Sequence, residues 1–219
     1  RMAEWWMDNR MVPTGEFGGR VNDDTTMYQQ FADLPFFETG GVAAKILDGA
    51  RRLAAHAEKT TLRDGVNTRM TDALHAYEEG INHLALMARW HYGDPIRLER
   101  CMESARTMKK LTILTPDGRR HFPDDKHIAW SNLKNPPKPG KVRRASPALW
   151  HTALTVANYN RNEEALATLR EWADGWLRLM KPETRRWPSG IEVLSGKATE
   201  SRRDRPLRLG ESTQAATFM

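Results

Sequence analysis

Val42, Ile46, Ala50, Leu53 and Ala54 recur at three- and four-residue spacing behind the breaker pair Gly40-Gly41, so residues 41–59 read as an amphipathic helix. The same pattern returns down the chain, each time with its own punctuation. A helix is expected from about Thr71 to His91. Gly93-Asp94-Pro95 then ends it and opens the next, with Asp94 as N-cap and Pro95 at the first helical position, running to about Leu111. Ser146-Pro147 signals a helix to about Asn158. Asn162 before Glu163 and Glu164 signals another, which Pro182 stops, and a further helix is expected to follow Asp23. Convincing strand alternation is missing, with Ile191-Glu192-Val193 the best short candidate. The expectation is an all-α fold of helical hairpins over residues 1–182, followed by a basic C-terminal segment, 183–219.

The 219 residues suit one domain of ordinary size, with enough apolar residues (39%) for a core. No run of eighteen uncharged apolar residues occurs, and the N-terminus lacks signal-peptide features, so no membrane partner is expected. Cys101, at a helical core spacing, excludes a disulfide framework. A start at Arg1 among helix formers and an end after an alanine pair lead us to expect a piece of a longer protein.

Charge is divided unevenly. Residues 1–105 carry 12 basic and 16 acidic side chains, and the remainder carries 22 and 12, for a net +6 overall. Such asymmetry suits an enzyme that holds a polyanion and cuts it with carboxylates or histidines, although a solvated surface also accounts for it. A nucleic-acid partner would use Lys141, Arg143 and Arg144 or the cluster Arg202, Arg203, Arg205 and Arg208, but the acidic first part counts against it. A stacked-repeat binding module is a further alternative, against which the hairpins share no common period.

Two segments carry the residue types of chemistry. The first is Gly15-Glu16-Phe17-Gly18-Gly19-Arg20-Val21-Asn22-Asp23-Asp24, a glycine-rich turn delivering acids to a helix start, where Asn22 or Asp23 can cap. Its glycine spacing matches no nucleotide-binding motif. Capping accounts for one acid and not for three, so Glu16, Asp23 and Asp24 are all candidates.

The second lies on the 71–91 helix. His75, Glu78, Glu79, Asn82 and His83 fall at i, i+3, i+4, i+7 and i+8 and form one polar stripe beside an apolar stripe of Tyr77, Ile81, Leu84 and Ala88. No Lys or Arg interrupts residues 70–88, which reads as the lining of a proton-moving cleft rather than a mixed-sign surface. His75 and His83 are about 12 Å apart along such a helix, too far to share a metal. Glu79 with His83 would need outside ligands, so no cofactor is expected. Trp5, Trp6 and Trp130 are candidate platforms for sugar rings. Arg120 and His121, in Gly118-Arg119-Arg120-His121-Phe122, suit a carboxylate or phosphate.

Trp5-Trp6 before Asp8-Asn9-Arg10, the Gly-Glu-Phe-Gly-Gly turn and the Asn-Asp-Asp helix start resemble the (α/α) toroid carbohydrate-active enzymes over about residues 1–125. The resemblance implies part of a toroid, a polysaccharide or oligosaccharide substrate, and an inner helix carrying His75 to His83. If the enzyme is a polysaccharide lyase, it implies β-elimination at an acidic, uronate-containing glycan. His75 or His83 would then be the base, and Asn82 or Arg120 would neutralise the uronate. If it is a glycoside hydrolase, Glu79 pairs with Asp23, Asp24 or Glu16, about 5–5.5 Å apart for retention and about 6.5–9.5 Å for inversion. The basic second part favours elimination. Such substrates imply an extracellular or periplasmic setting.

Overall fold

The computed structural model describes residues 1–38, 40–143, 146–180 and 188–199. The chain is predominantly helical, about 58%, with a few small sheets. The expected all-α class is thus corrected to a helical fold with strand pairs of two or three residues. The Pro182 stop, Arg144 and the C-terminal basic cluster lie outside the described residues.

Helices α1 (Met2–Asn9), α2 (Val21–Gln30), α3 (Leu34–Phe37) and α4 (Gly41–Thr60) come first. α4 begins at Gly41 as its apolar spacing requires. α2 starts earlier than expected: Arg20 is its N-cap, so Asn22 and Asp23 lie within the first turn. Strands β1 (Leu62–Arg63) and β2 (Val66–Asn67) form a tight hairpin after α4.

The expected 71–91 helix is broken in two. α5 (Ala73–Ala76) runs into a wide π turn, Tyr77–Ile81, before α6 (Asn82–Trp90) begins. Gly80 has φ +132°, outside helical geometry. α7 (Pro95–Lys110) starts as read, with the Asp94 carboxylate accepting the Ile96 amide at 2.9 Å. β3 (Ile113–Leu114) pairs with β4 (Arg120–His121) in the stretch that follows α7. Ser146 sits at φ +51° and Pro147–Trp150 form a 3₁₀ turn, so α8 (His151–Asn160) begins later than its sequence signal. α9 (Glu163–Leu177) is capped by Asn162 through the Ala165 amide. β6 (Gly190–Glu192), at the expected site, pairs with β5 (Lys141–Val142) and β7 (Ala198–Thr199), tying part of the C-terminal segment to the helical body.

Two apolar clusters form the core. One joins α1, α2, α4 and α6 around Tyr28, Ile46, Leu53 and Met87. The other gathers Ile81, Met108, Leu149, Trp150, Trp176 and Ile191. Cys101 is fully buried. The π turn lies between these clusters, so the break in the helix sits where the two halves of the core meet.

Candidate functional site

The glycine-rich turn is bolted to α2. Gly15, at φ +87°, lies so close to the Gly49 carbonyl that a Cβ would fall 2.2 Å from it, and only glycine fits. The Tyr28 hydroxyl donates to the Gly15 carbonyl at 2.8 Å, and the Phe17 amide donates to Asp24 Oδ2 at 3.1 Å. Asp24 is 5% exposed; burial raises its pKa and the Phe17 amide opposes the rise. It serves as the anchor of the turn. Glu16 faces the other way, accepting from Thr14 Oγ1 at 2.5 Å with His56 Nε2 3.6 Å away. Of the three expected acids, Asp23 alone is exposed on the first turn of α2.

The single polar stripe does not survive the break at Gly80. Asp72 opens α5, one carboxylate oxygen taking the Leu74 and His75 amides and the other the His75 ring at 3.0 Å. That bond raises the pKa of the exposed His75. Glu78 and Glu79 are half-buried on the π turn. Burial raises the Glu78 pKa first; His75 lowers it, and Asp23 and Asp72 add to the rise.

Beyond Gly80 the chain turns inward. Asn82 is fully buried and donates from Nδ2 to Thr25 Oγ1 at 3.0 Å. His83 is 1% exposed, packed edge-on to Tyr28, with Nε2 2.8 Å from the Ala50 carbonyl. Burial lowers its pKa to about 4, so at neutral pH the ring is uncharged and its Nε2–H donates to that carbonyl. Asn82 and His83, expected beside His75 and Glu79, are core side chains instead. The physical reason is the left-handed Gly80, which rotates everything after it relative to a regular helix.

Arg120 is likewise spent internally, with Nε 2.7 Å from Glu171 Oε2 and Nη1 2.8 Å from Thr112 Oγ1. His121 is 1% exposed, edge-on to Trp176 and pressed against Gly175, and burial lowers its pKa to about 4. Neither side chain reaches an outside carboxylate or phosphate. Trp6 packs on Phe17 within the core. Trp130 donates to Asp64 at 2.7 Å with Arg63 3.6 Å over its ring. Trp5 stays half-exposed.

The structure adds groups that the residue pattern did not single out. Tyr77, expected in the apolar stripe, places its hydroxyl 2.8 Å from Gln29 Nε2 and 3.0 Å from His151 Nδ1. Burial lowers the His151 pKa to about 4, leaving a neutral ring. Gln29 donates to the phenol oxygen, and the hydroxyl shares a second hydrogen bond with His151 Nδ1. A histidine directly after Trp150 at a helix start was the only available sign. Thr25 and Thr61, whose hydroxyls reach the Glu78 and Glu79 carbonyls at 2.6 and 2.7 Å, gave no sign in their spacing.

What converges here is Asp23, Asp72, His75, Glu78 and Glu79 around the π turn, with the Gln29–Tyr77–His151 chain beside it. Such a set can donate and accept protons. Among the described residues, no group of three or more His, Cys, Asp or Glu side chains is placed to hold a metal ion, and no helix is long and apolar enough to cross a membrane. Neither a family model, a curated protein nor a solved structure matches this chain.

Proposed function

We propose that this chain is part of an (α/α) toroid that hydrolyses glycosidic bonds in a polysaccharide, with Glu78 as the proton donor and Asp23 as its partner carboxylate. The observation that carries the reading is the bond between α2 and the π turn, which puts the two acids on joined elements, with the Asp23 charge felt at Glu78. The Thr25 hydroxyl holds the Glu78 carbonyl at 2.6 Å, which brings the first turn of α2 and its exposed Asp23 against a half-buried Glu78 whose pKa is raised. Glycosidases need two such environments: one carboxyl kept protonated to serve the leaving oxygen, the other open to solvent to attack or to activate water. The toroid part of the proposal draws on the resemblance of the turn and helix start.

Hydrolysis is favoured over elimination for an electrostatic reason. A lyase must neutralise a uronate carboxylate, yet Asn82 lies in the core and Arg120 is paired with Glu171. The surface around Glu78 carries Asp23, Asp72 and Glu79, which suits a neutral glycan better than an acidic one.

The test is a screen of the protein against neutral and acidic polysaccharides, reading new reducing ends together with ultraviolet absorbance of unsaturated uronates. Reducing ends without absorbance, lost in Glu78→Gln and Asp23→Asn, are expected. Absorbance rising with the reducing ends would replace hydrolysis by elimination, and silence in both channels from the folded protein would remove the enzymatic reading.

A further inference from the structure

In a regular α-helix the carbonyls of residues 78 and 79 would be taken by the amides of 82 and 83. Here Gly80 leaves helical geometry, and the Asn82 amide turns to the carbonyls of Gly80 and Tyr77. Two hydroxyls from distant elements take up the affected stretch. Thr25 Oγ1, from α2, lies 2.6 Å from the Glu78 carbonyl, and Thr61 Oγ1, at the end of α4, lies 2.7 Å from that of Glu79.

Each hydroxyl has a single proton and a second acceptor within its own helix, the ordinary destination of a helical threonine. Those local alternatives are longer: 2.9 Å from Thr25 to the Asn22 carbonyl and 3.2 Å from Thr61 to that of Ala57. The buried Asn82 amide donates to the Thr25 oxygen, and the Thr25 proton has the Glu78 carbonyl as its shorter acceptor. The π turn is therefore held at two successive carbonyls, by α2 and by the end of α4. Thr25 stands two positions from Asp23 on one helical turn, so its bond links the backbone that carries Asp23 to the backbone that carries Glu78.

We infer that Thr25 and Thr61 are positioning residues that clamp the π turn and so fix the separation of the Asp23 and Glu78 carboxyls. The catalytic meaning of that separation rests on the proposed glycosidase reading, since the distance between two such carboxyls decides between retention and inversion. The clamp itself rests on hydrogen bonds alone. Neither threonine touches a reacting atom. Both act through the π turn.

The experiment is a carboxyl-carbon NMR titration of Glu78 and Glu79 in the full chain, in wild type, Thr25→Val, Thr25→Ser, Thr61→Val and Thr61→Ser, each with and without Asp23→Asn. In the wild type, Asp23→Asn should lower the Glu78 midpoint, because the Asp23 charge is one cause of its elevation. Thr25→Val should lower the Glu78 midpoint toward the ordinary carboxylate range and erase the further effect of Asp23→Asn. Thr25→Ser should restore both, and Thr61→Val should lower the Glu78 midpoint with rescue by Thr61→Ser. If valine at 25 prevents folding, Thr25→Ala gives the same reading without the β-branch. A folded Thr25→Val or Thr25→Ala protein in which Glu78 titrates as in wild type and still responds to Asp23→Asn would overturn the clamp. Coupled titrations in a protein that hydrolyses no polysaccharide would leave the clamp standing and remove the catalytic reading; hydrolysis with uncoupled titrations would do the reverse.

Discussion

A carboxyl can deliver a proton near neutral pH only where its surroundings oppose its charge. At Glu78 burial does most of this, Asp23 and Asp72 add to it, and His75 works against it. Removing the carboxyl in Glu78→Gln should therefore reduce turnover by about 10²- to 10⁴-fold, with melting nearly unchanged because the side chain is only half-buried. His75 supplies a more discriminating test. Its positive charge lowers the Glu78 pKa and also offsets that of Asp72, so His75→Ala should move the alkaline limb of the pH–rate profile upward. A downward or absent shift would show that a different group controls that limb. Gly80 is the complementary structural residue: its φ of +132° is unfavourable for any side chain, and a Cβ would lie 2.9 Å from Leu62. Gly80→Ala should cost about 1–3 kcal/mol in urea denaturation, and a cost near zero would mean that the turn relaxes to a regular helix.

At the scale of elements, the boundaries set by local chemistry can be told from those set by tertiary contact. The Asp94 and Asn162 carbonyl-type oxygens accept the Ile96 and Ala165 amides at 2.9 Å each, far from the π turn in sequence. Asp94→Ala and Asn162→Ala should each lower stability by about 1 kcal/mol while leaving the Glu78 titration unchanged. These starts were legible because cap and helix are neighbours in the chain, as were α4 and the short strand at Ile191. The division of α5 from α6 was not, because a lone glycine at 80 does not announce a π turn and the hydroxyls that bond it, Thr25 and Thr61, come from elsewhere in the chain. A wheel drawn through 75–83 assumes 3.6 residues per turn throughout, so it set His83 beside Glu79 when a single left-handed residue turns His83 into the core. Asp23 and Glu78 were both named as candidates from their sequence context. Their meeting depends on a hydroxyl 53 residues away from Glu78, which no spacing encodes.

Over the whole molecule, histidine burial sets the response to acid. His83 in one core cluster, and His121 and His151 beside the other, each have a folded pKa of about 4, against 6.5 when free. Burial is the first cause in all three. At His83 the Ala50 carbonyl opposes it and Arg97 reinforces it, at His121 Arg119 reinforces and Asp117 opposes, and at His151 Arg89 reinforces. Because the unfolded chain binds protons that the folded chain refuses, stability is fully present above about pH 6.5 and falls as pH drops toward 4. Each ring accounts for up to about 3 kcal/mol across that window, and the three together rival the 5–15 kcal/mol that holds a typical domain folded. Denaturant unfolding between pH 7 and 4 should show these three rings contributing about three protons to the uptake on unfolding, with His91, also lowered by burial, adding to it. His121→Leu isolates one of them, since neither ring nitrogen of His121 has a hydrogen-bond partner among the described residues. That variant should lose some stability at pH 7 through imperfect packing yet show a slope shallower by about one proton in the acid window. An unchanged slope would mean that His121 is protonated in the folded state, with solvent reaching a ring that the Trp176 and Gly175 contacts otherwise seal.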